Sequence, residues 1–261
     1  METTPFKVLI VGAHHEEIEV ECPNIATALV KAGSKVTILN PIGGWNWTFI
    51  RNLGLNGRER TIDDATRAAA VLGCEKVIWD YPVAQADRYQ AEIMDRMAEF
   101  LLENRPDIVL MHWPLDSHAD HRLVAHVTRH ILGTATNISP NCHEGFTGVK
   151  EVYAFQTGVS QAYHFIPDMF VKADDETMAI ADKAIECFLP TCGTDIVDSW
   201  RRNFHDKAAY WGHACGVRQC EALKFLGPRL PLDGFLLKKI LDDRLVSAPL
   251  ASYSFDEHYQ L

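Results

Sequence analysis

The sequence predicts a single α/β domain over residues 1–261, a Rossmann-like, mostly parallel sheet with helices on both faces. Three observations predict it. Short, β-branched apolar runs recur at Lys7–Val11, Lys35–Leu39 and Ile108–Met111, as buried parallel strands do. Segments of helical composition separate them, and that alternation builds a doubly wound sheet. No internal repeat, low-complexity stretch or linker offers a place to divide the chain.

In order along the chain, Lys7–Val11 ends at Gly12, and Ile25–Ala32 reads as a helix stopped by Gly33. Lys35–Leu39 is the second strand. Arg60–Leu72 is Ala-rich and closes at Gly73, with Lys76–Trp79 a strand after it. Tyr89–Glu103 is an amphipathic helix with Ile93, Met97, Phe100 and Leu101 on one face, and Pro106 precedes the strand Ile108–Met111. A helix over Arg122–Leu132 leads into Gly-, Pro- and Asn-rich sequence from Gly133 to Gly148. Later strands are expected at Glu151–Gln156 and Met169–Val171, and helices at Asp175–Phe188 and Ser199–Leu226.

Hydrophobic residues make up 47% and charged residues 23%, the balance of a globular protein with a sizeable core rather than of a disordered chain. A formal charge of -10 with no Lys/Arg-rich run disfavours a nucleic-acid partner; a small neutral or cationic substrate fits better. The seven cysteines are scattered and include no CxxC pair, which argues against a disulfide framework and a zinc ribbon. No signal core or membrane-length apolar run is legible, so the expected compartment is the cytoplasm, with no membrane partner.

Open parallel sheets bind ligands at the carboxyl ends of their strands. Two such turns concentrate the unusual residues: Gly12-Ala13-His14-His15-Glu16-Glu17-Ile18-Glu19, and the run from His112 to His121 (HWPLDSHADH). Together they hold five histidines and five acidic residues. Either turn alone also reads as helix caps and surface polarity, but two such clusters at predicted strand ends point to a metal. Imidazole and carboxylate suit zinc, and two His with one carboxylate is a known catalytic set that leaves a position for water.

These two turns resemble the LmbE-like or PIG-L-like zinc N-deacetylases. Ala13-His14-His15-Glu16-Glu17 matches the family's Ala-His-Pro-Asp-Asp turn, and His118-Ala119-Asp120-His121 its His-x-Asp-His signature. Arg60–Gly73 looks like the family's Ala-rich helix ending in Leu-Gly. Tyr210–Leu223 resembles its late helix with paired glycines, here Gly212 and Gly216. The resemblance implies Zn2+, or another divalent metal, held by His14, Glu17 and His121. It further implies Glu16 as general base, His118 facing the substrate carbonyl and Asp120 orienting its neighbour. Homo-oligomers are compatible with the resemblance, although no interface is legible. Three residues depart from the pattern: His15 replaces Pro, and Glu16 and Glu17 replace two aspartates, each adding a methylene of reach.

The case for hydrolysis also stands on chemistry. An amide resists water because its carbonyl is a poor electrophile and water a poor nucleophile; a zinc ion polarises the first and acidifies the second. Glu16 is placed to move the proton, and a protonated His118 held by Asp116 or Asp120 to stabilise the oxyanion. His112 and His15 are extra, with His112 either facing substrate or supporting a ligand.

The loop Pro41–Arg58 is rich in glycine and aromatic residues, and Trp45, Asn46, Trp47 and Arg51 are its candidates for a sugar ring. The same loop could instead pack its own tryptophans into the core. The expected activity is removal of the N-acetyl group from an N-acetylglucosamine-like amino sugar or glycoconjugate. The alternatives are a zinc amidase acting on a non-sugar N-acyl conjugate, and a catalytically inactive metal- or sugar-binding homologue. A dinucleotide-binding role is disfavoured, since the first turn lacks G-x-G-x-x-G and its carboxylates would repel a pyrophosphate.

Overall fold

A computed structural model describes residues 5–134, 149–158, 160–227, 231 and 233–247. The Gly-, Pro- and Asn-rich sequence at 135–148 and Cys142 lie outside them. The elements are β1 (Lys7–Val11), α1 (Glu17–Glu21), α2 (Pro23–Lys31), β2 (Lys35–Ile42), α3 (Thr48–Asn52), α4 (Gly57–Leu72) and β3 (Glu75–Tyr81). After a short 3-10 turn at Ala86–Tyr89 come α5 (Gln90–Asn104), β4 (Ile108–His112), α6 (Ala119–Thr134), β5 (Glu151–Phe155) and β6 (Met169–Lys172). The chain continues with α7 (Asp175–Glu186), α8 (Leu189–Cys192), α9 (Thr194–Cys215), β7 (Cys220–Gly227), α10 (Leu236–Leu241) and β8 (Leu245–Ser247).

The strands form one eight-stranded sheet in the order β3-β2-β1-β4-β5-β7-β6-β8. The five strands from β3 to β5 are parallel, and β7, β6 and β8 are added antiparallel. Successive residues of β1 serve opposite faces: Val8 and Ile10 pack with Ile25 and Leu29 of α2, while Leu9 and Val11 pack with Ile93 and Met97 of α5 and Val124 of α6. The sheet is therefore sandwiched by helices, as the alternating apolar runs predict.

From β1 the chain builds outward to β2 and β3, then returns across β1 to place β4 on its other side. The topological switch point thus lies between β1 and β4, where open α/β sheets place their ligands. The two His- and acid-rich turns follow these two strands and are brought together by that topology.

The chain after Ser199 departs from the expected helix. Ser199–Leu226 is not a continuous helix, and Tyr210–Leu223 is not a late helix ending in Glu221-Ala222-Leu223. Helix α9 ends at Cys215, capped by Gly216 in the left-handed region at φ 69°. Cys220–Gly227 is strand β7, paired with β5 and β6. Its Glu, Ala, Leu and Lys have helical propensity, but burial between two strands outweighs that weak preference. Within β7 the buried Glu221 accepts the Asn24 and Ile25 backbone N–H groups at 3.0 and 2.7 Å, so it caps the first turn of α2.

Among the described residues, Cys22, Cys74, Cys187, Cys192, Cys215 and Cys220 are free thiols. No helix of these residues is long and apolar enough to cross a membrane.

Candidate functional site

The turn after β1 is tight because Gly12 lets neighbouring side chains close over the backbone. A Cβ there would lie 2.8 Å from Asn40 Nδ2 and 3.2 Å from Glu17 Oε2. Asn40, fully buried on β2, donates its amide to the His14 carbonyl and fixes the turn from the side. The Ala13 N–H then donates to Glu17 Oε2 at 2.5 Å.

Glu17 is the centre of the cluster. Its Oε1 lies 2.7 Å from His14 Nδ1 and 2.6 Å from His121 Nε2. Its Oε2 lies 2.6 Å from Nε2 of His112 at the end of β4. Each member of the His14, Glu17 and His121 set has a further partner behind it. Asp120 Oδ2 sits 3.0 Å from His14 Nε2, Asp116 Oδ1 sits 3.1 Å from His121 Nδ1, and His112 backs Glu17. Asp116 is itself held by the Thr157 hydroxyl, which donates at 2.5 Å, and Asp120 by the Ala84 N–H at 2.8 Å.

Ligand atoms of His14, Glu17 and His121 all fall within 4.8 Å of one another, and those of His14, His118 and Asp120 do the same. The first set has the stronger fit to a divalent ion. His14 Nε2 is taken by Asp120, leaving Nδ1 turned to Glu17, and His121 Nδ1 faces Asp116, leaving Nε2 turned to the same oxygen. Ligating imidazoles are ordinarily oriented by a carboxylate or carbonyl at the other ring nitrogen; Asp120 bonds that of His14, and the Asp116 carboxylate lies beside that of His121. Three buried carboxylates, Glu17, Asp116 and Asp120, meet this pair of imidazoles.

Burial works against charging His14, but the Glu17 and Asp120 carboxylates outweigh it and raise its pKa to about 9. Burial likewise opposes charge on His121, and Glu17 and Asp116 carry it up to about 11. Glu17 is desolvated yet held well below the usual carboxylate range by His121, His112 and His14.

Glu16 behaves differently. Burial, helped by the adjacent Glu17 charge, pushes its carboxyl up to about 7 against the pull of His14. Its Oε2 has no hydrogen-bond partner and lies 3.4 Å from His15 Nδ1. His15 is fully buried beside Trp45, Trp47 and Phe188, and burial, Lys76 and His14 together hold it neutral, down to about 3.

His118 is half-buried, and its Nδ1 accepts the Asp120 N–H at 3.2 Å. A ring that accepts at Nδ1 carries its proton on Nε2. Burial and the neighbouring His14 and His121 lower the His118 pKa, favouring the neutral ring. The expected protonated His118 held by a carboxylate is therefore not the arrangement found. The Asp120 carboxylate contacts His14 and Ala84, and Asp116 reaches His118 only at its backbone N–H, 2.7 Å away.

His14, Glu16, Glu17, His118 and His121 share one wall of a cavity of about 390 Å³. Of the loop candidates, Trp47 lines this cavity, its ring centroid 4.8 Å from that of His14. The others sit elsewhere. Trp45 donates Nε1–H to Asp80 at 2.7 Å, and both amide atoms of Asn46 bond the Val83 backbone, at 2.9 and 2.7 Å. Arg51 is exposed on α3, and His112 and Asp116 are buried behind the cluster.

The rest of the lining includes residues the sequence did not single out: Gly158, Ser160 and Gln161 after β5, and Ser199, Trp200 and Asn203 on α9. The first group obeys the same strand-end rule, since β5 is a parallel strand. The second lies on a helix with no local signature.

Residues 9–132 match the family described as PIG-L: GlcNAc-PI de-N-acetylase. Residues 9–132 form a PIG-L family domain. That domain contains both His- and acid-rich turns and the switch point between β1 and β4. Solved structures with this fold include deacetylases. The chain is similar to GalB, the 4-carboxy-2-hydroxymuconate hydratase of Pseudomonas putida KT2440, at 19% identity over 87% of this chain and 98% of that one (TM-score 0.68). It is similar to the N,N'-diacetylchitobiose deacetylase of Pyrococcus horikoshii at 18% identity over 84% and 83% (TM-score 0.68). It is also similar to the A40926 pseudoaglycone deacetylase Dbv21, at 15% identity over 85% and 97% (TM-score 0.62). These likenesses show the fold, which extends beyond the PIG-L domain through β5 and α9. No curated protein matches the chain in sequence.

Proposed function

We propose that this protein is a divalent-metal-dependent hydrolase, zinc being the expected ion, that removes the N-acetyl group from an N-acetylglucosamine-like amino sugar or glycoconjugate. One observation carries the proposal: His14, Glu17 and His121 converge at the wall of a cavity, each backed by its own partner, with the Glu16 carboxylate beside them, its Oε2 without a hydrogen-bond partner. Two imidazoles and a carboxylate form a donor set used for catalytic zinc. An ion held there supplies Lewis acidity to the amide carbonyl and to a water molecule.

The chain's own groups do the rest. Glu16 takes a proton from the attacking water as its oxygen bonds to the acyl carbon. It returns that proton to the nitrogen as the C–N bond breaks, releasing acetate and an amine. Neutral His118 directs its Nε2–H at the carbonyl oxygen, where negative charge develops. Trp47 and Trp200 offer apolar faces, and Ser160, Gln161, Ser199 and Asn203 offer hydroxyls and amides, a combination suited to a sugar.

The fold is also that of a hydratase acting on a carboxylated substrate, and the cavity's charge weighs against that chemistry here. Its described lining includes Glu16, Glu17 and Glu21 and no Lys or Arg. A polyanion needs cationic partners on such a wall, whereas an uncharged N-acetyl sugar does not.

The test is elemental analysis of the purified protein combined with acetate release from N-acetylglucosamine, its glycosides and simple N-acyl amines. Stoichiometric metal and acetate release from the sugars is the expected result. Bound metal with no acetate from any of them would leave the non-catalytic alternative, and faster release from the simple amines would favour the non-sugar amidase.

A further inference from the structure

Glu16 and Glu17 have roles in the chemistry proposed above, and the remaining carboxylate on the described cavity wall, Glu21, has none. It lies four positions after Glu17 on α1, so both side chains project from one helix face, Cβ atoms about 5–6 Å apart. Glu21 is therefore one turn of helix removed from the reacting centre while facing the same space.

Its partner is unusual. Glu21 Oε2 is paired with Nζ of Lys207 on α9, a lysine only 3% exposed. That ammonium also donates to the Glu21 carbonyl at 3.0 Å and to the Gln156 carbonyl at 3.0 Å. An ammonium has three donors, and all three are used inside the protein. Lys207 thus has none left for a ligand; it cancels the Glu21 charge and pins the side chain. Glu21 Oε1 meets no hydrogen-bond donor among the described residues, although the side chain is only 10% exposed. A fixed, charge-compensated acceptor facing a cavity matches a neutral donor such as a hydroxyl better than it matches a cation.

Neighbouring amides extend the same surface. Asn203 stands one turn before Lys207 on α9, and a Cβ at Gly158 would lie 3.2 Å from Gln161 Oε1 and 3.6 Å from Asn203 Nδ2. We propose that Glu21 is a specificity-determining residue that accepts a ring hydroxyl of the substrate one helical turn from the reacting acetamide, selecting polyhydroxylated N-acetyl compounds over simple N-acyl amines. This rests on the deacetylase function proposed above. Lys207 is the positioning residue behind it.

The experiment compares kcat/KM for acetate release from the methyl glycoside of N-acetylglucosamine with that from analogues each lacking one ring hydroxyl. Wild-type protein and Glu21→Gln are used, with metal content and thermal unfolding measured on both. One deoxy analogue is expected to lose about 10- to 100-fold with the wild type, the effect of removing the partner of a charged, desolvated acceptor. The Glu21→Gln loss on the parent should be coupled to it, so that both changes together cost no more than either alone. Because Glu21→Gln strands a buried lysine, Glu21→Gln with Lys207→Gln serves as a second variant, and the wild-type series needs no variant. Equal turnover of every deoxy analogue, or strictly additive losses, overturns the proposal. Acetate from none of the compounds overturns the proposed function itself, an outcome distinct from acetate release indifferent to ring hydroxyls.

Discussion

His112 Nε2 lies 2.6 Å from Glu17 Oε2, the oxygen turned away from His14 and His121. The two residues are 95 positions apart and meet because β1 and β4 are hydrogen-bonded neighbours, Val11 opposite Met111. The same Nε2 lies 2.8 Å from the Ala13 backbone N–H, so His112 braces Glu17 and the turn after β1 from the side away from His14 and His121. Replacing it should loosen the carboxylate without removing any of the three candidate ligands. His112→Ala is expected to weaken metal binding about 10- to 100-fold, as loss of an outer partner does, measured by competition with a chelator. Affinity equal to wild type would reduce His112 to a packing residue.

Glu16 and Glu17 are adjacent in sequence and opposite in circumstance. Glu17 meets three imidazoles, whereas Glu16 Oε2 meets no hydrogen-bond partner. Glu16→Gln keeps the shape and removes the proton acceptor. It is expected to lower kcat about 100- to 10,000-fold with metal content unchanged. Loss of metal in step with loss of activity would exchange the roles of base and ligand.

His118 separates the two candidate ligand sets. In the favoured set it faces the substrate through Nε2–H; in the other it joins His14 and Asp120 on the metal. His118→Asn is expected to lower kcat about 100- to 1,000-fold, as removal of an oxyanion donor does, while elemental analysis still finds the metal. A metal-free variant would instead transfer the site to His14, His118 and Asp120.

The near side of the cavity was legible in the sequence because its chemistry is local. His14 and Glu17 sit three apart on one turn, His118 and His121 three apart on another, and both turns close apolar runs that could only be buried strands. The far side was not. Ser199, Asn203 and Lys207 recur at a helical spacing of four, which in sequence is indistinguishable from a solvated helix face; only the packing of α9 against α1 makes it a wall. Strand β7 was lost for a related reason: Glu221-Ala222-Leu223-Lys224 has the composition of a helix, and its pairing with β5 and β6 is a long-range fact. Trp45 and Trp47, alike in sequence, divide according to which neighbour each finds, Asp80 for one and the His14 ring for the other.

Helix α7 is held in the frame by its first residues. Asp174 caps this helix reciprocally: its Oδ1 accepts the Thr177 N–H at 2.8 Å, and its own N–H donates to Thr177 Oγ1 at 3.1 Å. Its Oδ2 pairs with Arg244 at 2.5 Å, tying the helix to the turn before β8. The Thr177 N–H, aided by Arg244, holds the Asp174 carboxyl below its ordinary 3.8, at about 2. An acid whose folded pKa is depressed stabilises the fold while ionised. That contribution is full above the ordinary value and is lost as pH falls through about 2. Asp174→Ala is therefore expected to cost about 1 kcal/mol at neutral pH, the usual worth of an N-cap. The gap between variant and wild type should narrow as the pH is lowered from 4 to 2, where the native acid is itself neutralised. Denaturant unfolding at a series of pH values measures it, and a gap independent of pH across that window would show that the carboxylate charge plays no part in the cap.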